Sequence, residues 1–115
     1  MHVEKLTFEM SVGASRNEHV YSLHGPLVLN NMFAFQEVLR SEALTTILDL
    51  TDVPFMDSAG LGVITNSYVA RQKHGRKLLL VGANERVQAL FKLTKLDQVF
   101  EVFPTMESAK LALAA

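Results

Sequence analysis

The sequence predicts an α/β domain with a mixed β-sheet of about five strands and about four α-helices. Three observations carry this expectation. Two short segments of strand character open the chain, separated by the polar break Gly13-Ala14-Ser15-Arg16-Asn17-Glu18. Past residue 30 the rhythm changes, and apolar, β-branched runs alternate with stretches of helical spacing. Strands alternating with helices imply parallel crossovers and helices packed on the sheet.

Each element follows in order. Leu6, Phe8, Met10 and Val12 alternate with Thr7, Glu9 and Ser11, which is the period of a strand with one buried face. Val20-Tyr21-Ser22-Leu23 begins a second strand ending at Gly25-Pro26, and the short break between the two suggests a hairpin. Asn30 or Asn31 can cap a first helix with Phe33, Phe35, Val38 and Leu39 as its apolar positions. Thr45-Thr46-Ile47-Leu48-Asp49-Leu50-Thr51 reads as a buried central strand. A second helix runs from 58 to about 74, where His74-Gly75 stops it. Lys77-Leu78-Leu79-Leu80-Val81-Gly82 is another buried strand. Asn84 can cap a third helix carrying Val87, Leu90, Phe91 and Thr94 on one face. Val99-Phe100-Glu101-Val102-Phe103 is a last strand. Pro104-Thr105 opens a final helix, with Thr105 as N-cap and Glu107 near its positive end.

Size and charge bound the function. At about 150 residues per domain, 115 residues make one domain, spanning 1–115. A chain of that size buries roughly two-thirds of its unfolded surface and needs no metal or disulfide to fold. Lys and Arg total 11 against 12 Asp and Glu, so no basic block is present to neutralise phosphates, which argues against direct nucleic-acid binding. Without cysteine there is no disulfide, thiolate nucleophile or cysteine-held metal. His2, His19, His24 and His74 lack metal-ligand spacing on a helix. No apolar run approaches the roughly 20 residues of a membrane span, so no membrane insertion is expected. Met1-His2-Val3-Glu4-Lys5 does not read as a signal peptide. The expectation is a soluble, cytoplasmic domain without a cofactor.

The informative stretch is Leu48 to Gly62, where a buried strand runs through a short loop into a helix that starts with small residues. In open α/β sheets functional groups collect beyond the carboxyl ends of strands, where helix N-termini point. Asp57 and Ser58 fall there. Both are good N-caps, so helix capping alone would account for them. Gly60 and Gly62 each cost a helix roughly 1 kcal/mol against Ala. Two glycines in the first turn would leave the backbone bare, so that another surface could approach Ser58. From the residues alone, capping and function stay equally open.

Asp49-Leu50-Thr51 followed by Pro54-Phe55-Met56-Asp57-Ser58-Ala59-Gly60-Leu61-Gly62 resembles the signature of the STAS domain, found in bacterial anti-sigma factor antagonists and in the C-terminal domains of sulfate transporters. Gly75-Arg76-Lys77-Leu78-Leu79-Leu80-Val81-Gly82 resembles the fourth strand of that family. Leu90 to Asp97 resembles its third helix and the turn after it, and Phe103 to Ala109 its last strand-to-helix joint. The similarity covers essentially the whole chain. It implies a single STAS-like domain in which Ser58 is phosphorylated by a partner and Asp57 is the acid beside it. It also implies partner switching. The unphosphorylated antagonist binds an anti-sigma factor with serine kinase activity, and the sigma factor is released. Phosphorylation ends that binding, and a serine phosphatase restores it. The sequence leaves a homodimer open.

Two positions depart from the family pattern. Val28 follows Gly25-Pro26-Leu27 where many members carry an acid, and Lys95 stands where members often have Gly. Lys95 would be strained if the backbone there needs a positive φ.

Physics fits the implied switch. A phosphoserine adds about −1.5 to −2 charges at neutral pH, and a helix N-terminus tolerates it. Asp57, and Asp52 if it lies close, would make the clustered charge costly to desolvate in an interface. If Leu61, Ile64 and Tyr68 form the buried face of the second helix, Val63 and Asn66 are exposed next to Ser58. Gly60, Gly62, Val63 and Asn66 are therefore the candidate partner-contact positions.

Other residues read more plainly. Asp49 in its apolar strand could be a catalytic carboxylate, but no acidic pair follows Val12 and the Asp-x-Asp spacing of aspartyl phosphatases is missing. A structural Asp bonding loop or backbone groups is the favoured reading. No nucleophile elbow surrounds Ser58 and no phosphate-cradling Gly-rich loop occurs. His74, Lys92 and Lys95 sit near helix C-termini, where cations are favoured. Arg71, Lys73, Arg76 and Lys77 read as a solvated basic face. Three functions follow in descending order. First is a regulatory binding module switched at Ser58, not an enzyme. Second is a STAS scaffold or adaptor subunit of a stress-signalling assembly or a lipid-transport ATPase. Last is an enzyme hydrolysing a nucleotide or a phosphoester, for which no base, metal cluster or phosphate loop is visible.

Overall fold

The computed structural model describes residues 4–13, 15 and 17–114. The expectations about Met1–Val3, including His2, and about Ala14 and Arg16 in the polar break lie outside those residues.

Thr7–Val12 forms strand β1 and Glu18–His24 forms β2. They make the expected hairpin, antiparallel from Thr7 opposite His24 to Val12 opposite His19. A 3₁₀ turn at Leu29–Asn31 leads into helix α1, Met32–Val38. Then come β3 (Thr45–Asp52), α2 (Ser58–Lys73), β4 (Lys77–Val81) and α3 (Glu85–Leu93). A second 3₁₀ turn at Leu96–Gln98 precedes β5 (Glu101–Phe103) and α4 (Met106–Ala114). The strands lie in the order β1-β2-β3-β4-β5, and every pair after the hairpin is parallel. The structure is thus the expected mixed five-stranded sheet with four α-helices.

β3 and β4 are apolar without alternation because both their faces are covered. Leu48, Leu50, Leu78 and Leu80 meet Phe35 of α1, Leu61 and Ile64 of α2, and Val87 and Phe91 of α3. The intervening Ile47, Leu79 and Val81 meet Ala109 of α4, with Met106 and Leu113 beside it. Asn84 caps α3 as expected, its Oδ1 accepting from Val87 N at 2.8 Å. Thr105 Oγ1 accepts from Ser108 N at 3.1 Å at the start of α4.

Five expectations need correction. The apolar side of β1 is not buried. Leu6, just before the strand, reaches the core, but Phe8, Met10 and Val12 are 42%, 50% and 54% exposed. β1 is an edge strand that packs on β2, and among the described residues no helix packs extensively against it. Asn31 precedes α1 without capping it; its buried amide donates instead to the carbonyls of Glu4 (3.0 Å) and Pro26 (2.9 Å). With the entry turn wound as 3₁₀, Met32 joins Phe35 and Val38 inside, and Phe33 faces solvent. In α3 Val87 and Phe91 are buried, while Thr94 is exposed and bonds back to Leu90 O at 2.8 Å. The last strand starts at Glu101 rather than Val99, because Phe100 turns into the core. There it packs edge-on against Tyr68 and Phe91, with centroids at 5.7 and 5.4 Å.

Candidate functional site

The site grows out of two loops stitched together beyond the carboxyl ends of β2 and β3. Leu27 N donates to Phe55 O and Asp57 N donates to Leu27 O, both at 3.1 Å, so Leu27 and Met56 form an isolated parallel bridge. On the other side, Asn84 Nδ2 donates to Val53 O (3.3 Å) and Pro54 O (3.1 Å). Asn84 thus caps α3 with its oxygen and ties down the β3–α2 loop with its nitrogen. The Arg86 guanidinium lies 4.8 Å from the centroid of the Phe55 ring in the same loop. Such a stack contributes roughly 0.5–1 kcal/mol at an exposed site.

Asp57 is the N-cap of α2 in extended conformation (φ −105°, ψ −174°). Its Oδ1 accepts from Gly60 N at 3.0 Å and its Oδ2 from Leu29 N at 3.1 Å. One carboxylate therefore satisfies an orphan helix donor and also fixes the chain entering the 3₁₀ turn before α1. Ser58, the first helical residue, is exposed at the positive end of this 16-residue helix.

The two glycines separate in role. Gly60 is buried, and a Cβ there would drive into the carbonyl oxygen of Leu27. Its side-chain-free surface is taken by the neighbouring loop, so it is not an open contact position; this corrects the expectation from sequence. Gly62 has nothing within 4 Å of where a Cβ would stand. Leu61 and Ile64 are buried and Tyr68 half-buried, so the inward face of α2 is the one anticipated. Asn66 is exposed and Val63 half-buried. Both line a shallow groove of about 370 Å³ between α1 and α2, with Leu39 and Arg40 on the α1 side.

Asp52 does not stand free beside Ser58. Its Oδ2 is 2.8 Å from His24 Nδ1, and His24 Nε2 is 3.1 Å from Glu9 Oε1, a surface chain joining the ends of β3 and β2 to β1. Asp49 is structural. Its Oδ1 accepts from Thr51 N (3.0 Å) and Thr51 Oγ1 (2.6 Å), a local side-chain bond within β3 itself.

Arg71 overturns the reading of a solvated basic face. It is 6% exposed. It donates from Nε to Ser67 Oγ (3.0 Å), from Nη1 to Thr46 Oγ1 (2.9 Å) and from Nη2 to Leu39 O (3.0 Å). Leu39 is the C-cap of α1, so the guanidinium joins that helix end to β3 and α2. Burial lowers its pKa below the ordinary value, and the nearby Arg76 charge adds to the effect. Its position in a run of basic residues concealed this role. Neither the clamp by Asn84 nor the Arg86–Phe55 stack had any signal in the local spacing.

Among the described residues no cluster of His, Asp and Glu could hold a metal ion, and no helix is long and apolar enough to cross a membrane.

Comparison with known proteins agrees with this geometry. The chain is 34% identical over 61 residues to the anti-sigma-B factor antagonist of Listeria monocytogenes, a match covering 53% of this chain and 54% of that protein. The chain thus spans about half the length of that relative. Its fold superposes on an anti-sigma factor antagonist from Mycobacterium paratuberculosis with a TM-score of 0.83 at 21% identity, covering 96% of this chain and 95% of the other. It also superposes on the Bacillus cell fate determinant SpoIIAA in its phosphorylated form, with a TM-score of 0.68 at 18% identity and coverage of 93% and 99%. The STAS domain profile matches residues 11–109, nearly the whole of the described chain, and the protein belongs to the STAS domain family.

Proposed function

We propose that this protein is an anti-sigma factor antagonist that switches partners through Ser58. In its unphosphorylated form it binds an anti-sigma factor that is also a serine kinase, and so frees a sigma factor. Phosphorylation of Ser58 ends the binding, and a serine phosphatase restores it. The protein is then the substrate of catalysis and has no catalytic role of its own, and it works in the cytoplasm. The observation carrying this reading is the exposed Ser58 hydroxyl at the first position of α2, on a backbone that Asp57 holds from two sides.

The physical case is electrostatic. A phosphate at Ser58 brings about −1.5 to −2 charges to a helix N-terminus, whose dipole and free N–H groups offset part of them. Asp57 keeps both oxygens engaged with Gly60 N and Leu29 N, so the loop geometry survives the modification. What changes is the surface. Two adjacent negative groups must be stripped of water in any interface centred on Ser58, at a cost of several kcal/mol. Gly62, Val63 and Asn66, one to two turns along the helix, are the proposed contact positions, and Gly60 shapes the platform beneath them. The likeness to anti-sigma factor antagonists supports this reading, as does the shared fold with SpoIIAA, which is found in unphosphorylated and phosphorylated forms.

The test is a pull-down from native cytosol with Ser58→Ala and Ser58→Asp baits. Capture of an ATP-binding serine kinase by the first and not the second is expected. If both baits bring down the same transporter or scaffold proteins, Ser58 is not the switch and an adaptor role replaces it.

A further inference from the structure

The outer edge of β1 carries unused bonding capacity in a pattern that fits a second copy of the chain. Gly13 N donates to Glu18 O at 2.6 Å, and the register runs on from there through Ser11 opposite Val20, Glu9 opposite Ser22 and Thr7 opposite His24. Hydrogen-bonded pairs alternate along an antiparallel ladder, so these odd-numbered residues bond inward to β2. The N–H and C=O groups of Phe8, Met10 and Val12 therefore point to the free edge. Their side chains are the exposed apolar ones. Proteins usually blunt such an edge with Lys, Pro or a bulge. Thr7–Val12 contains neither residue, its one charged side chain, Glu9, points to the face opposite the apolar row, and its pairing with β2 has no register shift. Among the described residues no other strand pairs with it.

We infer that β1 pairs with β1 of a second copy, antiparallel about a two-fold axis at Met10. The chemistry selects that register. Outward groups meet only if even-numbered residues face even-numbered ones. Centring on Glu9 would also meet this condition but would set two carboxylates directly opposite each other, which is unfavourable. Centring on Met10 places Phe8 opposite Val12 and Met10 opposite Met10, joining the two apolar rows on one face. On the other face it puts Glu9 opposite Ser11, an uncharged partner. The contact is isologous and closes at two copies. It joins the two five-stranded sheets into one. An interface of one short strand per copy is small, so the dimer is weak, with a dissociation constant of roughly micromolar or above.

Sedimentation of the full chain over roughly 10 μM to 1 mM tests this. The wild-type protein is expected to shift from monomer to dimer across that range. Met10→Lys puts two cations on the axis, and Met10→Pro deletes an N–H that β2 does not use. Each is expected to weaken association roughly tenfold or more. Leu111→Lys, which removes an exposed apolar side chain on α4, is expected to leave it unchanged. Unchanged circular dichroism shows that a variant is folded, and Met10→Lys decides alone if Met10→Pro is not. A chain that stays monomeric throughout overturns the inference and leaves the edge to a strand from a different protein. A dimer that survives Met10→Lys, or that Leu111→Lys weakens equally, also overturns it.

Discussion

The β3–α2 junction and the β1 edge both present residues to solvent, but what lies behind the exposure differs. At the junction the backbone is fastened on two sides, by Leu27 and Leu29 on one flank and by Asn84 on the other. Ser58 stands on that platform with little beneath it left to rearrange. Along β1 the backbone is fastened on one side only, and among the described residues no strand meets the donors and acceptors on its free side. Exposure on a fastened platform suits a reversible chemical mark, because charge can change while the scaffold holds. Exposure along a half-fastened strand suits association, because a second strand completes the ladder. A polar residue and an apolar row can thus be equally accessible and serve opposite purposes.

The sharpest way to break this contrast is to loosen the platform. Gly60→Ala drives a methyl group into the Leu27 carbonyl, so the two loops must separate. It should cost about 3 kcal/mol, the upper range for overpacking a well-filled site. Gly62→Ala, two residues away in open space, should be neutral or stabilise by up to about 1 kcal/mol through helix propensity. Urea denaturation of the pair reads the difference, and equal effects would mean that Leu27 does not bear on Gly60 as described. Next in size is Asp57→Ala, which removes both the cap and the bond to Leu29 N. A loss of about 1–2 kcal/mol is expected. Ser58→Ala should change stability by less than about 0.5 kcal/mol, because its exposed hydroxyl supports nothing in the fold. If Ser58→Ala cost as much as Asp57→Ala, the serine would be part of the platform rather than a group standing on it.

The order of the elements was legible because β3, β4 and the helices obey periods that depend only on which faces are buried. Leu78-Leu79-Leu80 could be read as a strand covered on both sides, and it is one. Asp57 and Ser58 could be placed at a helix start from capping chemistry and the small residues that follow. Legibility failed where a side chain's partner comes from far along the chain. Asn31 has the composition of a cap, yet its amide goes to Glu4 and Pro26. Arg71 sits in a basic run, yet reaches Thr46 and Leu39. Period two along β1 announced a strand with one apolar face, but alternation cannot say whether anything covers that face. Whether a strand is central or at the edge is a property of the sheet, and local sequence carries it weakly.

Lys95 calibrates the energies at a third place, outside both regions. It is the one non-glycine residue with positive φ among those described, at φ 63° and ψ 15° just before the second 3₁₀ turn. Holding an L side chain there costs roughly 1–2 kcal/mol, while Gly gives back part of that through a more flexible unfolded chain. Lys95→Gly should therefore raise stability by about 0.5–1 kcal/mol, seen as a higher denaturation midpoint with an unchanged slope. A destabilised Lys95→Gly variant would mean that the lysine side chain contributes packing that outweighs the strain.

The smallest expected effect is the most telling for β1. Met10 is half exposed, so Met10→Thr removes little buried apolar surface and adds a β-branched residue suited to a strand. Measured at a concentration where the protein is monomeric, its stability should lie within about 0.5 kcal/mol of wild type. Phe8→Thr sets the upper bound for the edge, because the Phe8 ring packs against Tyr21 with centroids 5.9 Å apart. Losing that pair should cost about 1 kcal/mol. A Met10→Thr cost above that of Phe8→Thr would place Met10 in the core of the monomer, and the apolar row would then need no second strand to explain it. A negligible cost at Met10 means that the monomer gains little from that side chain, which is what a residue kept for association requires.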